Sequence, residues 1–399
     1  MYSLIILEHI EKYSQMVFIA GPRQVGKTTL SKMIHKNHDK TIYFNWDDRD
    51  DRKLILKGQS SLAKFAGVEK ISKERKIIIF DEIHKYRKWK SFLKGFYDVY
   101  KNDFKIIVTG SAKLNIYKSG GDSLMGRYLL YRLHPFTVRE TISSRRDINE
   151  IVLPKKIKSE EFQDLLKFGG FPEPFLKKDT RFYNRWKELR FEQLFQEDIR
   201  DLTNVQDISR MEILAQILTE HSAQLLSYSS LANKIDVTSK TVKKWIDILG
   251  LMYFCFKIKP YRKNVVRSLI KEPKIYLWDW SYIKDTGARL ENFIASHLLK
   301  AVHYWTDIGL GKYELFFIRD KEKREVDFLV TKDMEPWFLV EVKASSKSSL
   351  SSSLIRFKKE LKVPHAFQVV FDMDYINKDC FSEAKPVIVP VQTLLSQLV

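Results

Sequence analysis

Apolar residues fall into short runs of strand length in the first third of the chain, into helical spacing in the middle, and into alternation near the end. The early runs are Met16 to Ala20, Thr41 to Trp46, Ile77 to Phe80, Lys105 to Thr109 and Tyr128 to Leu133. Helical stretches separate several of them, so residues 1–147 are predicted to form a parallel α/β sheet. Residues 148–225 read as a mostly helical lid or linker, with Phe168-Gly169-Gly170-Phe171-Pro172 as a strong turn signal. Over residues 226–285, two short helices, Tyr228 to Lys234 and Val237 to Ile246, precede the strand-like runs Met252 to Pro260 and Pro273 to Trp278. That order predicts a winged helix. Residues 286–399 open on a helix and then alternate over Glu325 to Val330 and Phe338 to Lys343, which predicts a C-terminal α/β domain.

The first strand-to-helix junction carries Gly21-Pro22-Arg23-Gln24-Val25-Gly26-Lys27-Thr28-Thr29, which fits the phosphate-binding loop G-x-x-x-x-G-K-[ST]. The glycines let backbone N–H groups turn inward, and the helix N-terminus adds partial positive charge, so a triphosphate is cradled. Lys27 is expected to reach the β- and γ-phosphates and Thr28 to ligate Mg²⁺. The apolar strand before Asp81-Glu82 supplies the second half of such a site: Asp81 for the metal and Glu82 as general base for the attacking water. Paired acids favour ATP hydrolysis over kinase or GTPase chemistry. The fourth run ends in Thr109-Gly110-Ser111. In additional-strand ATPases a polar residue on the strand between loop and metal carboxylate contacts the γ-phosphate or the water, a role for Thr109 or Ser111. Arg127 stands just before the fifth run, placed to reach a neighbouring subunit's nucleotide.

Charge changes the picture next. The chain has 399 residues, too many for one core, and 69 basic against 50 acidic residues give a net charge of +19. Between residues 226 and 275 there are 11 Lys/Arg and 3 Asp/Glu, a surplus of 8. Lys240, Lys243 and Lys244, on the second predicted helix of this region, are the expected phosphate contacts to DNA. No apolar run approaches the roughly 18 residues of a membrane span, and no membrane partner is expected. Cys255 and Cys380 lack metal-like spacing and the N-terminus lacks a signal pattern, so a cytoplasmic, reduced protein is expected.

A second constellation lies near the end. Glu291 opens a helix, Asp327 sits on one alternating segment, and Glu341 and Lys343, two apart on the next, share a face. Such acids can gather one or two Mg²⁺ ions while the lysine faces the attacking water, an arrangement for phosphodiester hydrolysis.

With these residues placed, the chain resembles AAA-type ATPases of bacteria and archaea that carry a C-terminal domain of unknown function related to the PD-(D/E)XK nucleases. The resemblance spans nearly the full length. It rests on the loop Gly21 to Thr29, Asp81-Glu82-Ile83-His84, Thr109-Gly110-Ser111, Gly126-Arg127, Gly169-Gly170-Phe171-Pro172, Gly287-Ala288-Arg289-Leu290-Glu291-Asn292 and Glu341-Val342-Lys343. It implies ATP and Mg²⁺ at the first site and a nuclease-like fold around Asp327, Glu341 and Lys343, where Mn²⁺ is an alternative ion. Glu291 matches the helix glutamate of resolvase-like members. Val326 stands where many nucleases of that superfamily have proline before the aspartate. An arginine finger acting across subunits implies a homo-oligomeric ring, a hexamer among the options. Two functions are compatible with these features. One is an ATP-driven DNA motor or remodeller with a metal-dependent nuclease domain; the other is a nucleotide-switched DNA-binding ATPase whose C-terminal domain is a scaffold that does not cut.

Overall fold

The computed structural model describes residues 2–38, 40–68, 75–110, 124–143, 148–200, 205, 207–261 and 272–399. The chain divides into two compact units, Met1–His134 and Pro135–Val399.

The first unit is a five-stranded parallel sheet of β1 (Met16–Ala20), β2 (Thr41–Asn45), β3 (Lys76–Asp81), β4 (Phe104–Gly110) and β5 (Tyr128–Arg132), in the order β2-β3-β4-β1-β5. Its helices are α1 (Tyr2–Lys12), α2 (Lys27–Lys36), α3 (Arg49–Leu56), α4 (Gln59–Phe65) and α5 (Trp89–Tyr100). The central strands β1, β3 and β4 are buried almost throughout, which explains why their sequence shows runs rather than alternation. Helix α5 buries Trp89, Phe92, Leu93, Phe96 and Tyr97, the spacing of one helical face. Two of these rings meet Phe80 edge-on, at 5.9 Å from Phe92 and 5.7 Å from Phe96, in the core that also holds Phe18 and Phe44. The strand insertion that matters for chemistry is β4, which lies between the strand leading into the phosphate loop and the strand ending in Asp81.

The second unit begins with helices α6 (Val138–Ile142), α7 (Ser159–Phe168), α8 (Pro172–Lys177), α9 (Thr180–Gln193), α10 (Ile208–Glu220), α11 (Tyr228–Ile235) and α12 (Ser239–Leu251). It continues through β6 (Cys255–Pro260), β7 (Lys274–Leu277), α13 (Thr286–Asp307), β8 (Tyr313–Arg319), β9 (Glu325–Lys332) and β10 (Glu335–Lys343). It closes with α14 (Ser352–Leu361), β11 (His365–Val370), β12 (Val387–Pro390) and α15 (Val391–Gln397). All seven of these strands form one mixed sheet, ordered β12-β11-β10-β9-β8-β6-β7.

That sheet changes the division expected from sequence. Boundaries at 147/148, 225/226 and 285/286 do not coincide with the two units, because β6 and β7, expected as the strands of an independent wing, pair into the C-terminal sheet. Lys259 and Pro260 of β6 run parallel to Phe316 and Phe317 of β8. The segment expected as a separate helical linker also packs within this unit: Trp280 Nε1 donates to Leu165 O at 3.0 Å, and Tyr183 Oη donates to Ser281 O at 3.0 Å. The Gly169-Gly170 pair has a packing cause. A Cβ on Gly170 would stand 2.7 Å from the Trp280 ring and 2.5 Å from Phe136 O, and one on Gly169, where φ is 79°, would stand 2.5 Å from Asp279 Oδ1.

Candidate functional site

The phosphate loop follows β1 directly, and its geometry is set by two residues with positive φ, Gln24 at 62° and Gly26 at 100°. A Cβ at Gly21 would run into the Leu133 carbonyl, whereas one at Gly26 would meet nothing within 4 Å. The loop is thus tight against its own sheet and open on its inner side, as a cradle for a large anion requires. Lys27 opens α2, is buried, and donates from Nζ to Gly21 O at 3.0 Å and Pro22 O at 2.7 Å. Its ammonium therefore curls over the loop, within reach of phosphate oxygens seated there. Pro22, Arg23, Val25, Thr28 and Thr29 occupy the loop and first helical turn as expected.

Asp81 ends β3 and is buried. It accepts a hydrogen bond from Tyr43 Oη at 2.5 Å and another from Thr109 Oγ1. Thr109 thus fills the polar position on the intervening strand. Ser111 lies outside the described residues. Tyr43, on β2, is a partner without a signal in the sequence, because a tyrosine two positions before Asn45 is an ordinary strand residue. Glu82 follows with φ 56°, a left-handed conformation that is strained for a residue with a Cβ. Its carboxylate lies 3.5 Å from His84 Nε2 and 3.6 Å from Lys85 Nζ. Burial pushes the Glu82 carboxyl upward, against the opposing pull of Lys27 and Lys85. A general base is strengthened in this way. The residues fit Mg²⁺–ATP: Thr28 and Asp81 would hold the ion, which supplies charge neutralisation for the phosphates, and Glu82 would take a proton from water.

Arg127 sits at the far end of this sheet. Tyr128, next to it, pairs with Met16, four residues before the strand reaches Ala20, or about 13 Å at strand rise. Arg127 is also held by Asp98 of α5, Nε to Oδ1 at 2.7 Å and Nη2 to Oδ2 at 3.0 Å. It does not belong to the nucleotide site of its own chain.

In the second unit, α12 buries Val242, Trp245, Ile246 and Leu249. Lys240, Lys243 and Lys244 consequently project outward and are exposed. Thr238 caps the helix by accepting from Thr241 N at 3.1 Å. The three lysines therefore share the solvent side of a helix whose other side is core.

The C-terminal acids are gathered, but not around a vacant centre. The register that sets Val340 opposite Phe328 brings Glu341 beside Asp327, and Val342 N donates to Asp327 Oδ2 at 2.8 Å. Lys343 Nζ donates to Glu341 Oε1 at 2.8 Å. Into the same cluster β7 inserts Lys274, whose side chain is 5% exposed. Its Nζ lies 3.0 Å from Glu291 Oε1, 2.5 Å from Glu325 Oε1 and 3.7 Å from Asp327 Oδ1. Glu291 Oε1 also accepts from Tyr276 Oη at 2.8 Å, and Glu325 Oε2 from Arg319 Nη1 at 2.7 Å. Burial is the largest influence on Lys274 and opposes its charge, yet Glu291, Asp327 and Glu325 together hold the ammonium above lysine's ordinary range. Glu291 and Glu341 are each pushed up to about 7, by burial first and by the charge of Asp327 second.

The expected metal set of Glu291, Asp327 and Glu341 is therefore corrected. Among the described residues no three His, Cys, Asp or Glu side chains are placed to hold a metal ion. The physical reason is Lys274, which brings a positive charge of the chain itself to Glu291 and Asp327. Glu341 Oε2 is buried without a hydrogen-bond partner, and one such oxygen is too few for a resident ion. Lys274, Tyr276, Glu325 and Arg319 are absent from the set that sequence reasoning assembles. The available signal is a single lysine at the head of the apolar run Ile275 to Trp278.

The motif around Glu291 has a structural basis as well. Asn292 Oδ1 accepts from Leu277 N at 2.7 Å and Nδ2 donates to Leu277 O at 2.8 Å, extending β7 by a side chain in place of a strand.

Residues 13–142 match the family model of an AAA domain, and residues 159–284 and 286–391 match two domains of unknown function, DUF8612 and DUF4143. An uncharacterized protein of Methanocaldococcus jannaschii is 25% identical over 329 residues, 78% of this chain and 71% of that one. A second from the same organism is 24% identical over 391 residues, 86% and 80% of the two chains. An uncharacterized protein of Mycobacterium tuberculosis is 23% identical over 354 residues, 85% and 72%. Among solved structures, AMPPCP-bound DnaA from Aquifex aeolicus is 13% identical at a TM-score of 0.33, covering 62% of this chain and 86% of its own. The Aeropyrum pernix ORC1 protein in complex with DNA is 14% identical at a TM-score of 0.30, covering 75% and 92%. Likenesses that distant say nothing of what this chain binds. Among the described residues no helix is long and apolar enough to cross a membrane. The loop, the carboxylate pair and the family match agree on one point: residues 13–142 form an AAA-type ATPase domain.

Proposed function

We propose that the chain is a Mg²⁺-dependent ATPase that binds DNA through the helix pair α11–α12 and uses its nucleotide state to regulate that binding, with a C-terminal region that does not cut. The observation that carries the ATPase part is the inserted strand β4, which brings the Thr109 hydroxyl to Asp81 beside Glu82 and the Lys27 loop. DNA binding is supported by the exposed lysines of α12, which lie on the solvent side of a helix capped by Thr238. The ammonium of Lys274 among the C-terminal acids favours the scaffold over the nuclease-bearing motor. Arg127 lies away from its own nucleotide, which fits a homo-oligomeric ring in which it serves the neighbouring copy.

The test is a DNA titration across salt concentrations, with ATP, ADP or no nucleotide, alongside ATP hydrolysis with and without Mg²⁺. Neutralising Lys240, Lys243 and Lys244 together should lower the salt slope by about 2 to 3, since each contact releases about one counterion. An unchanged slope would assign the helix pair to protein contacts. Affinity for DNA that is the same in all nucleotide states would remove the regulatory part.

A further inference from the structure

The nuclease-like resemblance asks for a divalent metal at Glu291, Asp327 and Glu341, and the chain supplies a cation of its own there instead. We infer that Lys274 is the resident cation of the C-terminal carboxylate cluster, a tethered ammonium that takes the place of a metal ion and fastens β7 to β9 and α13. This rests on the non-cutting reading of the C-terminal region and gives it a cause.

The geometry carries the inference. An ammonium has three N–H donors, and Lys274 Nζ has three carboxylates around it, from Glu291 on α13 and from Glu325 and Asp327 on β9. A Mg²⁺ ion would need oxygens converging at about 2.0–2.1 Å, whereas the ammonium hydrogen-bonds Glu291 and Glu325 and holds Asp327 at 3.7 Å, an ion-pair distance. The second oxygens of two of these acids are engaged where they would have to turn inward: Asp327 Oδ2 by Val342 N, and Glu325 Oε2 by Arg319. Charge is nearly balanced without any ion. Glu291, Glu325, Asp327 and Glu341 face Lys274, Lys343 and Arg319. An added divalent ion would have to displace a buried lysine whose counter-charges are these same acids, at high electrostatic cost.

The latch also has a mechanical meaning. Lys274 is the first residue of β7, and its neighbours Ile275 and Pro273 bond through the backbone to Gln224 and Leu226, just before the helix pair that bears the exposed lysines. The same side chain therefore ties the base of the helix pair to the C-terminal sheet.

The experiment measures Mn²⁺ binding to the nucleotide-free full-length protein by electron paramagnetic resonance, in four forms: wild type, Asp327→Asn, Lys274→Ala, and Lys274→Ala with Asp327→Asn. Ions held at the phosphate loop contribute equally to all four and cancel. Equal Mn²⁺ binding in wild type and Asp327→Asn is expected, together with one additional site in Lys274→Ala that disappears in the double variant. Mn²⁺ bound by wild type and lost in Asp327→Asn would overturn the inference, as would a folded Lys274→Ala with no added site. Lys274→Met, which keeps the aliphatic stem, repeats the third arm should the alanine variant not fold, and the first two arms decide by themselves. DNA cleavage assays on the same wild-type preparation separate this from the broader reading. Cleavage with Mn²⁺ that survives Asp327→Asn would sink the non-cutting reading while leaving the Lys274 assignment standing.

Discussion

Asp81, buried, and Asp327, partly buried, both stand at strand positions with a glutamate and a lysine close by, and they differ in what their hydrogen-bond partners do with the charge. The partners of Asp81 are hydroxyls, from Tyr43 and Thr109. Neutral donors orient a carboxylate and leave its negative charge available to a cation that arrives with the substrate. Asp327 accepts from a backbone N–H and faces an ammonium. Its charge is already answered. The lysines differ too: Lys27 donates to two loop carbonyls and acts on the carboxylate of Glu82, whereas Lys274 sits among three carboxylates. Acid-plus-lysine patterns in a sequence thus do not distinguish a site that accepts a cation from one that contains it.

The contrast breaks most visibly at the two lysines. Lys274→Ala should destabilise the second unit by about 3–5 kcal/mol, since it removes a buried ammonium and leaves three partly buried carboxylates facing one another. Lys27→Ala should cost less stability than Lys274→Ala and abolish ATP binding. Denaturant unfolding and nucleotide titration of both variants check the pair, and equal stability losses would erase the distinction.

Next in size is the acid pair. Glu82→Gln should keep ATP binding and lower turnover by roughly 10² or more, because the metal carboxylate remains while water loses its base. Asp327→Asn should leave the turnover number unchanged. Wild-type turnover in Glu82→Gln would remove the role given to that residue.

A third measurement uses pH. His297, on α13, donates from Nδ1 to Phe293 O at 2.7 Å and accepts from Val138 N through Nε2 at 3.0 Å, which fixes one neutral tautomer. Burial, with a smaller push from Lys300, lowers its pKa to about 3. The unfolded chain therefore binds a proton that the folded unit refuses. Stability from this group is complete above the unfolded value near 6.5 and is lost as pH falls toward 3, at about 1.4 kcal/mol per pH unit. Between about pH 6.5 and pH 5 the second unit should lose about 2 kcal/mol through His297. Unfolding of wild type and His297→Gln at both pH values isolates the effect, and an identical pH dependence in the two would refute it.

The smallest expected effect concerns the thiols. Cys255 and Cys380 are buried, and burial pushes each up to about 12. In the native protein both should react with thiol reagents far more slowly than in denaturant, and fast native labelling would contradict their burial.

The first unit is the more legible of the two in sequence, for a physical reason. A parallel sheet covered on both faces forces apolar runs, and a phosphate loop needs fixed glycines, so β1, β3 and β4 and the residues Gly21 to Thr29 announce themselves. Thr109 is among the candidates because the run containing it ends in polar residues. Tyr43 is not, since its contact with Asp81 depends on pairing between strands far apart in the chain. The helix pair is legible from Thr238 and the apolar spacing of Val242, Trp245, Ile246 and Leu249. Strands β6 and β7 are not, because they have the look of a wing, and only the register of β6 against β8 reveals that they complete another sheet. The C-terminal acids are found by alternation, whereas their counter-ion escapes notice because it comes from a strand 53 positions before Asp327.

The shared sheet also decides where the protein can be dissected. A fragment starting at residue 286, the edge suggested by the family match, would remove β6 from β8 and leave a bare strand edge open to pairing with other molecules. The same cut would discard Lys274 and leave Glu291, Glu325 and Asp327 to repel one another. An expression design that keeps Pro135 to Val399 together avoids both faults, whereas the shorter piece is expected to aggregate for reasons unrelated to its activity.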